Sequence, residues 1–562
     1  MKLRSQLLSL GAIGLLGSSA FAATHITSNI TSSATWTVAN SPYILDTQIF
    51  VTGSGTVLDI EPGVIVRGQP QSTAGAADAG SLIIRYPAKI QARGTVANPI
   101  IFTTAALDAG LAGGGAATGL FKDANADLLA DRWAPADGDA KYLDLNPATS
   151  PLPPRNSADV KNTSMWGGVI IAGDGSTNSG KQVDVDSSGS FTAADDGVGY
   201  IEGITAGPLA EYGGGLIPNV EHNGGLMKYV SIRHGGAALS TGKELNALTL
   251  YAVGAKTTIS YIDIYATGDD GVEIFGGSVN LDHVNVNYAD DDGFDVDEGW
   301  LGLAQFVFVL QGYGYGDNGL ELDGEDKLEN DTTTFGTPNA SDPTGDARFY
   351  NFTVLVSTEA YNSSSAIGGS ASAASVNAAR MRAGFAGQVV NSIFQNVSGT
   401  TAGQGLRVDA LKTTGLASGE TAEYGYSARD YFGQGLLQLR NNTVVGFTTL
   451  YTTISGGSAT QASTGVASGT FNGTAIPSVY YPATLNRTLS TSIPTPAHAT
   501  ANGVDPRPSL AASSLAYGST QDAAYVVAPA VSTSYKGAFD RTATTLWTSV
   551  WTALNKRGIL KN

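Results

Sequence analysis

The chain has 562 residues, with 49 Asp and Glu against 31 Lys and Arg, a formal charge of -18, 71 glycines and no cysteine. That acidity argues against nucleic acid or anionic lipid as partners and favours cations. Without cysteine, stability must come from a large core or from bound ions.

Residues 1–22 read as a signal peptide: Lys2 and Arg4, an apolar run from Leu7 to Leu16, then Ala20-Phe21-Ala22 as a small-x-small cleavage site. No stretch reaches the ~20 apolar residues of a transmembrane helix, so the expectation is a secreted chain with no transmembrane segment.

Residues 23–447 carry short strand signals at Val57 to Val66, Leu82 to Tyr86, Ile100 to Thr103 and Met165 to Ala172, separated by Gly, Pro and Asn turns. Stretches at about 104–164, 173–219 and 327–347 lose the period and read as loop excursions. Within the first, Asp123, Asn125, Asp127 and Asp131 have part of the spacing of a calcium loop, but Leu128 and Ala134 stand where an EF-hand needs Gly and Glu. Residues 448–534 are rich in Ser, Thr and Ala, as suits a crossover or an assembly region. In 535–562, Leu546, Trp547, Val550, Trp551 and Leu554 recur at helical spacing, giving a C-terminal cap or a partner-docking helix.

One phrase recurs three times in the middle of the chain. Gly268-Asp-Asp-Gly-Val-Glu-Ile274 returns as Asp290-Asp-Asp-Gly-Phe-Asp-Val-Asp297 and as Gly316-Asp-Asn-Gly-Leu-Glu-Leu-Asp323. Each reads as a turn closed by Asp or Asn, a Gly free to take positive φ, and a strand with a period of two. The segments from Met227, Ile259 and Leu281 align as a second strand, with Val230, Ile262 and Val284 in one column and Ile232, Ile264 and Val286 in the next. Short strands repeating every 20 to 30 residues indicate an all-β solenoid whose coils bury their inner faces against one another.

Stacked ~4.8 Å apart, Glu273, Asp295 and Glu321 form one outward column and Asp269, Asp291 and Asp317 another, with Asp270, Asp292, Asp297 and Asp323 beside them. From Asp263 to Asp326 there is no Lys or Arg. Two full charges at that spacing repel by roughly 3.5 kcal/mol at an effective dielectric of ~20. The column must therefore raise its own pKa values or bind cations, and Ca2+, which accepts six to eight oxygens, is the expected ion. Those ten residues are the candidate metal ligands, and no catalytic residue is singled out.

These phrases carry a resemblance, together with Thr56 to Gly63, Ile90 to Thr103, Trp166 to Ile171, Asn391 to Phe394, Tyr535 to Phe539 and Trp551 to Leu554. The chain resembles the right-handed parallel β-helix (pectin-lyase-like) superfamily, in particular secreted or surface β-helix proteins of Gram-negative bacteria. The resemblance implies a right-handed parallel β-helix with loop excursions and a short C-terminal capping helix. The composition also resembles that of surface-layer proteins.

Three functional classes follow, the third a non-catalytic glycan-binding protein. The first is an exported, calcium-stabilised structural protein of the cell surface, in a surface-layer, biofilm-matrix or adhesin role, self-assembling or meeting other surface components, glycans or lipopolysaccharide through divalent cations. The second is a polysaccharide lyase or glycoside hydrolase acting on acidic glycans. Gly268-Asp-Asp-Gly is similar to a phrase of polygalacturonase-type hydrolases, but that family's order along the chain is inverted, and its Gly-His-Gly and Arg-Ile-Lys phrases are missing. Arg233 or His234 would be the nearest base for a lyase. In a glycan-binding protein, Tyr265, Tyr288, Trp300, Tyr313 and Tyr315 would be stacking platforms.

Overall fold

The computed structural model describes residues 23–107 except 73–75, 164–179, 197–311 except 216, 241 and 242, 316–324, 346–356, 376–396, 403–409, 436–447 and 529–556, with isolated residues and short strands elsewhere. Residues 1–22, where a signal peptide is expected, the Asp123 to Asp127 loop, Tyr313 and Tyr315 lie outside the described residues.

Strand alternation is realised as a parallel β-helix. One sheet stacks Gln48–Val51, Ser81–Arg85, Gly168–Ala172, Leu248–Tyr251, Val272–Phe275, Phe294–Asp297, Leu320–Asp323, Asn377–Arg382, Gln404–Asp409 and Thr449–Ser455, all in parallel, before an antiparallel edge at Ser458–Ala462. The coils therefore continue past Phe447, into the stretch expected to be a crossover or an assembly region; Arg487–Leu489 also pairs in parallel with Thr443–Val445.

The second sheet is folded along its length. Its long strands Gly225–Arg233, Thr258–Tyr265, Asn280–Asn287, Leu303–Leu310 and Ala347–Val356 each bend at one residue of positive φ, namely Tyr229, Tyr261, His283, Phe306 and Asn351. Asn391 and Asn441 continue that line at the junctions of shorter strands. The bend turns the sheet into two faces, so each coil is three-sided. Side chains at the bend stack from coil to coil: Tyr229 on Tyr261 and Tyr261 on His283 at 4.5 Å between ring centres, then His283 on Phe306 at 4.8 Å. Further along, Asn441 Nδ2 donates to Asn391 Oδ1 at 2.9 Å. Asparagines thus stack at this bend where the aromatic rings end.

Inward residues form continuous columns. Leu82, Val169, Leu248, Val272, Phe294 and Leu320 line one wall, and Ile100, Val230, Ile262, Val284, Val307 and Phe352 another, all buried. Each such side chain contributes about 1.5–3 kcal/mol on burial, and no single coil could bury them alone.

The glycines of the repeated phrase differ from expectation. Gly271, Gly293 and Gly319 do not take positive φ. They are required because a Cβ at Gly271 would lie 2.2 Å from Val286 Cγ1 and 2.5 Å from the Gly293 carbonyl, with the same clash repeated at Gly293 against Val309 and at Gly319 against Val354.

Near the C-terminus a one-turn helix, Ala553–Lys556, is present, while Leu546 to Thr552 is a run of turns. The segment carrying it lies along a flank of the coils: Phe539, Leu546, Ala553 and Leu554 pack on Tyr265, Tyr288, Phe308, Leu310 and Leu355. Among the described residues no helix is long and apolar enough to cross a membrane, a statement that does not extend to strands.

Candidate metal centre

The turn before each strand of the first sheet separates its two polar residues. The second member faces inward along the stack and forms a ladder. Asp270 N–H donates to Asn246 Oδ1 at 3.0 Å, Asp292 N–H to Asp270 Oδ1 at 2.8 Å, and Asn318 N–H to Asp292 Oδ1; Asn377 Nδ2 then donates to Asn318 Oδ1 at 2.6 Å. The first member, Asp269, Asp291 or Asp317, stands outside this ladder, and Asp317 N–H bonds the Asp291 carbonyl at 3.0 Å.

Asn246 and Asn377 were not singled out from the sequence, because neither precedes a glycine. Their signal is a broader phrase: Asn or Asp, then Gly or Ala, then apolar–x–apolar. It runs from Asn246-Ala-Leu through Asp270-Gly-Val, Asp292-Gly-Phe and Asn318-Gly-Leu to Asn377-Ala-Ala.

Outward residues of the sheet stack in the expected register, Glu273 beside Asp295 and Asp295 beside Glu321. Upstream the column passes through Thr249, and downstream through Arg380 and Arg407. In the adjoining outward column Phe275 pairs with Asp297 and Asp323 with Arg382. The acids therefore occupy three rungs, with aromatic Tyr251 and Phe275 stacked at 4.4 Å above and arginines below.

Those arginines correct the expectation of an unbalanced face. Arg380 Nη1 meets Glu321 Oε1 at 3.0 Å, Arg382 Nη2 meets Glu321 Oε2 at 2.8 Å, and Arg382 Nε lies 2.6 Å from Asp323 Oδ2. Asn318 Nδ2 also donates to Glu321 Oε1 at 3.1 Å. Both oxygens of Glu321 are thus already engaged. Among the described residues no basic side chain pairs with Asp269, Asp270 or Glu273, and the Glu273 carboxylate accepts only the Asn246 amide.

Electrostatics follow this division. Burial, and then Asp269, Asp295, Glu273 and Asp292, hold the Asp270 carboxyl well above its ordinary range. Burial and Asp295 do the same to Glu273, and burial and Asp291 to Asp269. Asp292 and Asp295 are pushed up by burial and then by Glu321. Asp317 is raised by burial and Glu321 against the pull of Arg380. Asp291, whose side chain reaches the surface, is pushed up to about 6 by desolvation and by Asp317, Glu321 and Asp290.

Three overlapping sets bring carboxylate oxygens within 4.8 Å of one another: Asp269, Asp270 and Asp291; Asp270, Glu273 and Asp295; and Asp292, Asp295 and Glu321. All donors are hard oxygens, the donor chemistry of Ca2+ and Mg2+. The first two sets hold the three acids with no basic partner, Asp269, Asp270 and Glu273, with Arg382 acting only at a distance on Asp291 and Asp295, whereas the third shares Glu321 with two arginines. Of the ten candidates, seven fall in these sets. Asp317 stands beside Asp291, Asp297 Oδ1 accepts the Glu298 N–H at 2.6 Å, and Asp323 is taken by Arg382.

A strand pair, Gly199–Tyr200 with Glu211–Tyr212, borders the face. Its anchor is Glu298, missed in the sequence: buried, it accepts Tyr212 OH at 2.7 Å and Thr177 Oγ1. The same excursion brings Glu202 into the field of Glu273 and Asp269. Arg233 and His234 belong to the other sheet and are fully buried, with Arg233 Nε on Ser231 Oγ at 2.8 Å, which removes them as bases for this face. Tyr265, Tyr288 and Trp300 are buried as well and offer no stacking platform to a glycan.

The stacked coils and their acidic rungs define a parallel β-helix protein with an oxygen-donor face confined to three turns. The family model for the pectate-lyase-like β-helix domain matches residues 148–477, more than half of the chain and all of that face. The chain belongs to this family. No curated protein and no solved structure matches it.

Proposed function

We propose that the chain is an exported, calcium-binding β-helix that serves as a structural component of the cell surface, in a surface-layer, matrix or adhesin role. The observation carrying this reading is the pair of oxygen sets without a direct basic partner, Asp269/Asp270/Asp291 and Asp270/Glu273/Asp295, built from consecutive coils. A divalent cation there supplies positive charge beside Asp269, Asp270 and Glu273, which no basic side chain pairs with among the described residues, and ties two rungs together. Asp291 and Asp317, at the outer rim, are placed to share cations with a second copy or with anionic glycans and lipopolysaccharide.

The family match favours a second reading, an enzyme acting on acidic polysaccharides. Against it, each arginine beside the acids is already paired with carboxylates. Arg380 is held by Glu321 and Asp409, Arg382 by Glu321 and Asp323, and Arg407 by Asp409. Carboxylates raise the pKa of Arg380 and Arg382 further, opposite to what a proton-abstracting base needs.

Calorimetric titration of the purified chain with CaCl2, alongside incubation with polyuronates, tests both. Saturable calcium uptake, a higher melting point, and no unsaturated or reducing ends are expected. Absence of divalent uptake sinks the metal reading, and product formation puts the enzyme in its place.

A further inference from the structure

The C-terminal segment is held in a way unlike the coils it covers. From Lys536 to Trp551 it descends the flank against the order of the coils. Lys536 Nζ meets Thr443 Oγ1 at 3.3 Å, and Asn391 Nδ2 and Asn351 Nδ2 donate to the Tyr535 carbonyl at 2.7 and 3.1 Å. Ala538 N–H donates to Thr353 Oγ1 at 2.9 Å, and Val531 exchanges two hydrogen bonds with the Gln305 amide. At its far end Ala553 N–H donates to Asp263 Oδ2 at 2.9 Å, a buried carboxylate that also receives Ser231 Oγ and Asn285 Nδ2.

Aromatic contacts seat it between these points. Phe539 lies edge-on to Phe308 at 5.3 Å, Trp547 to His283 at 5.1 Å and Trp551 to Tyr229 at 5.4 Å. Apart from the bond of Gly537 N–H to the Asn391 carbonyl, these hydrogen bonds use side chains of the coils. A coil strand must be added in register and in order. This segment sits in a groove of aromatic rings, amides and one carboxylate, whose side chains an identical segment from another chain would meet in the same way.

We propose that this groove is a self-recognition site, taking the C-terminal segment of a second copy by exchange and so linking copies of the chain. Exchange of an identical element reuses every contact of the closed form and costs little at equilibrium. The inference supplies a contact for the self-assembly proposed above and rests on that reading, but it needs no cation.

The chain contains no cysteine, so two single variants report on exchange directly. Thr353→Cys marks the groove and Ala538→Cys the segment, at positions already joined by a hydrogen bond. The two are co-refolded and oxidised, with and without EDTA. Disulfide-linked heterodimer is expected at about tenfold or more above the homodimer from either variant alone, since the bond demands close Cβ atoms. A chain carrying both cysteines should close the bond internally when dilute and between chains when concentrated. Internal closure at every concentration, with no heterodimer from the mixed variants, overturns exchange. Failure of the double variant to close at all overturns the groove itself. Because the readout is the same in EDTA, loss of the calcium reading would leave this result standing, and the reverse.

Discussion

Replacing Asp270 with Asn separates charge from hydrogen bonding at the centre of the acidic face. Asp270 Oδ1 accepts the Asp292 N–H at 2.8 Å, a bond that an amide oxygen keeps. What changes is one charge that belongs to two of the three oxygen sets. A fully ionised neighbour one coil away repels it by roughly 3.5 kcal/mol at an effective dielectric of ~20. Partial protonation of the cluster relieves part of this, leaving roughly 1–2 kcal/mol to be recovered. In EDTA, Asp270→Asn should therefore melt about 1–3 °C higher than the parent. In calcium the sign reverses: the variant loses a ligand, binds about tenfold or more weakly, and melts lower. Differential scanning calorimetry in the two buffers measures both. A drop of equal size in EDTA and in calcium would refute the reasoning, since Asp270 would then act only through its place in the ladder.

Arg382→Met keeps bulk but leaves Glu321 and Asp323 without their shared base. Unfolding in EDTA should show a loss of about 3–5 kcal/mol, smaller in calcium; equal losses would mean that no cation replaces the guanidinium. Gly293→Ala should cost at least about 1–3 kcal/mol, because its Cβ would sit 2.4 Å from Val309 Cγ1. Adding Val309→Ala should return part of that loss in thermal melts, whereas a backbone requirement for glycine would not be relieved. The pH dependence has a definite sign. Asp291 titrates at about 6 in the folded chain against ~3.9 unfolded, so between those values the folded state holds more protons and stability falls as pH rises. In EDTA the melting point should be higher at pH 5 than at pH 7.5. The increment produced by calcium should shrink as the pH is lowered from 7.5 to 5, because protons compete for the ligands. A metal-free melting point that climbs from pH 5 to 7.5 would contradict this.

The repeated phrase was readable without coordinates because everything it encodes is local. A period of two decides which side chains face in, and a coil length of 22 residues puts Glu273 beside Asp295 by stacking alone. Charge balance could not be read this way. Arg382 lies 59 residues beyond Asp323, across an excursion of no regular period, and only the stacking of the next coil sets the two side by side. Gly293 looks like a turn glycine in sequence, yet its constraint comes from Val309 and the Gly319 carbonyl of the following coil. The C-terminal stripe showed an apolar surface seeking cover; that the cover is a flank of aromatic rings and Asp263, 290 residues away, was decided in three dimensions. Periodicity along a chain determines which way a side chain points. Which distant side chain it meets depends on how many residues each excursion takes before the coil returns, and no local pattern records that.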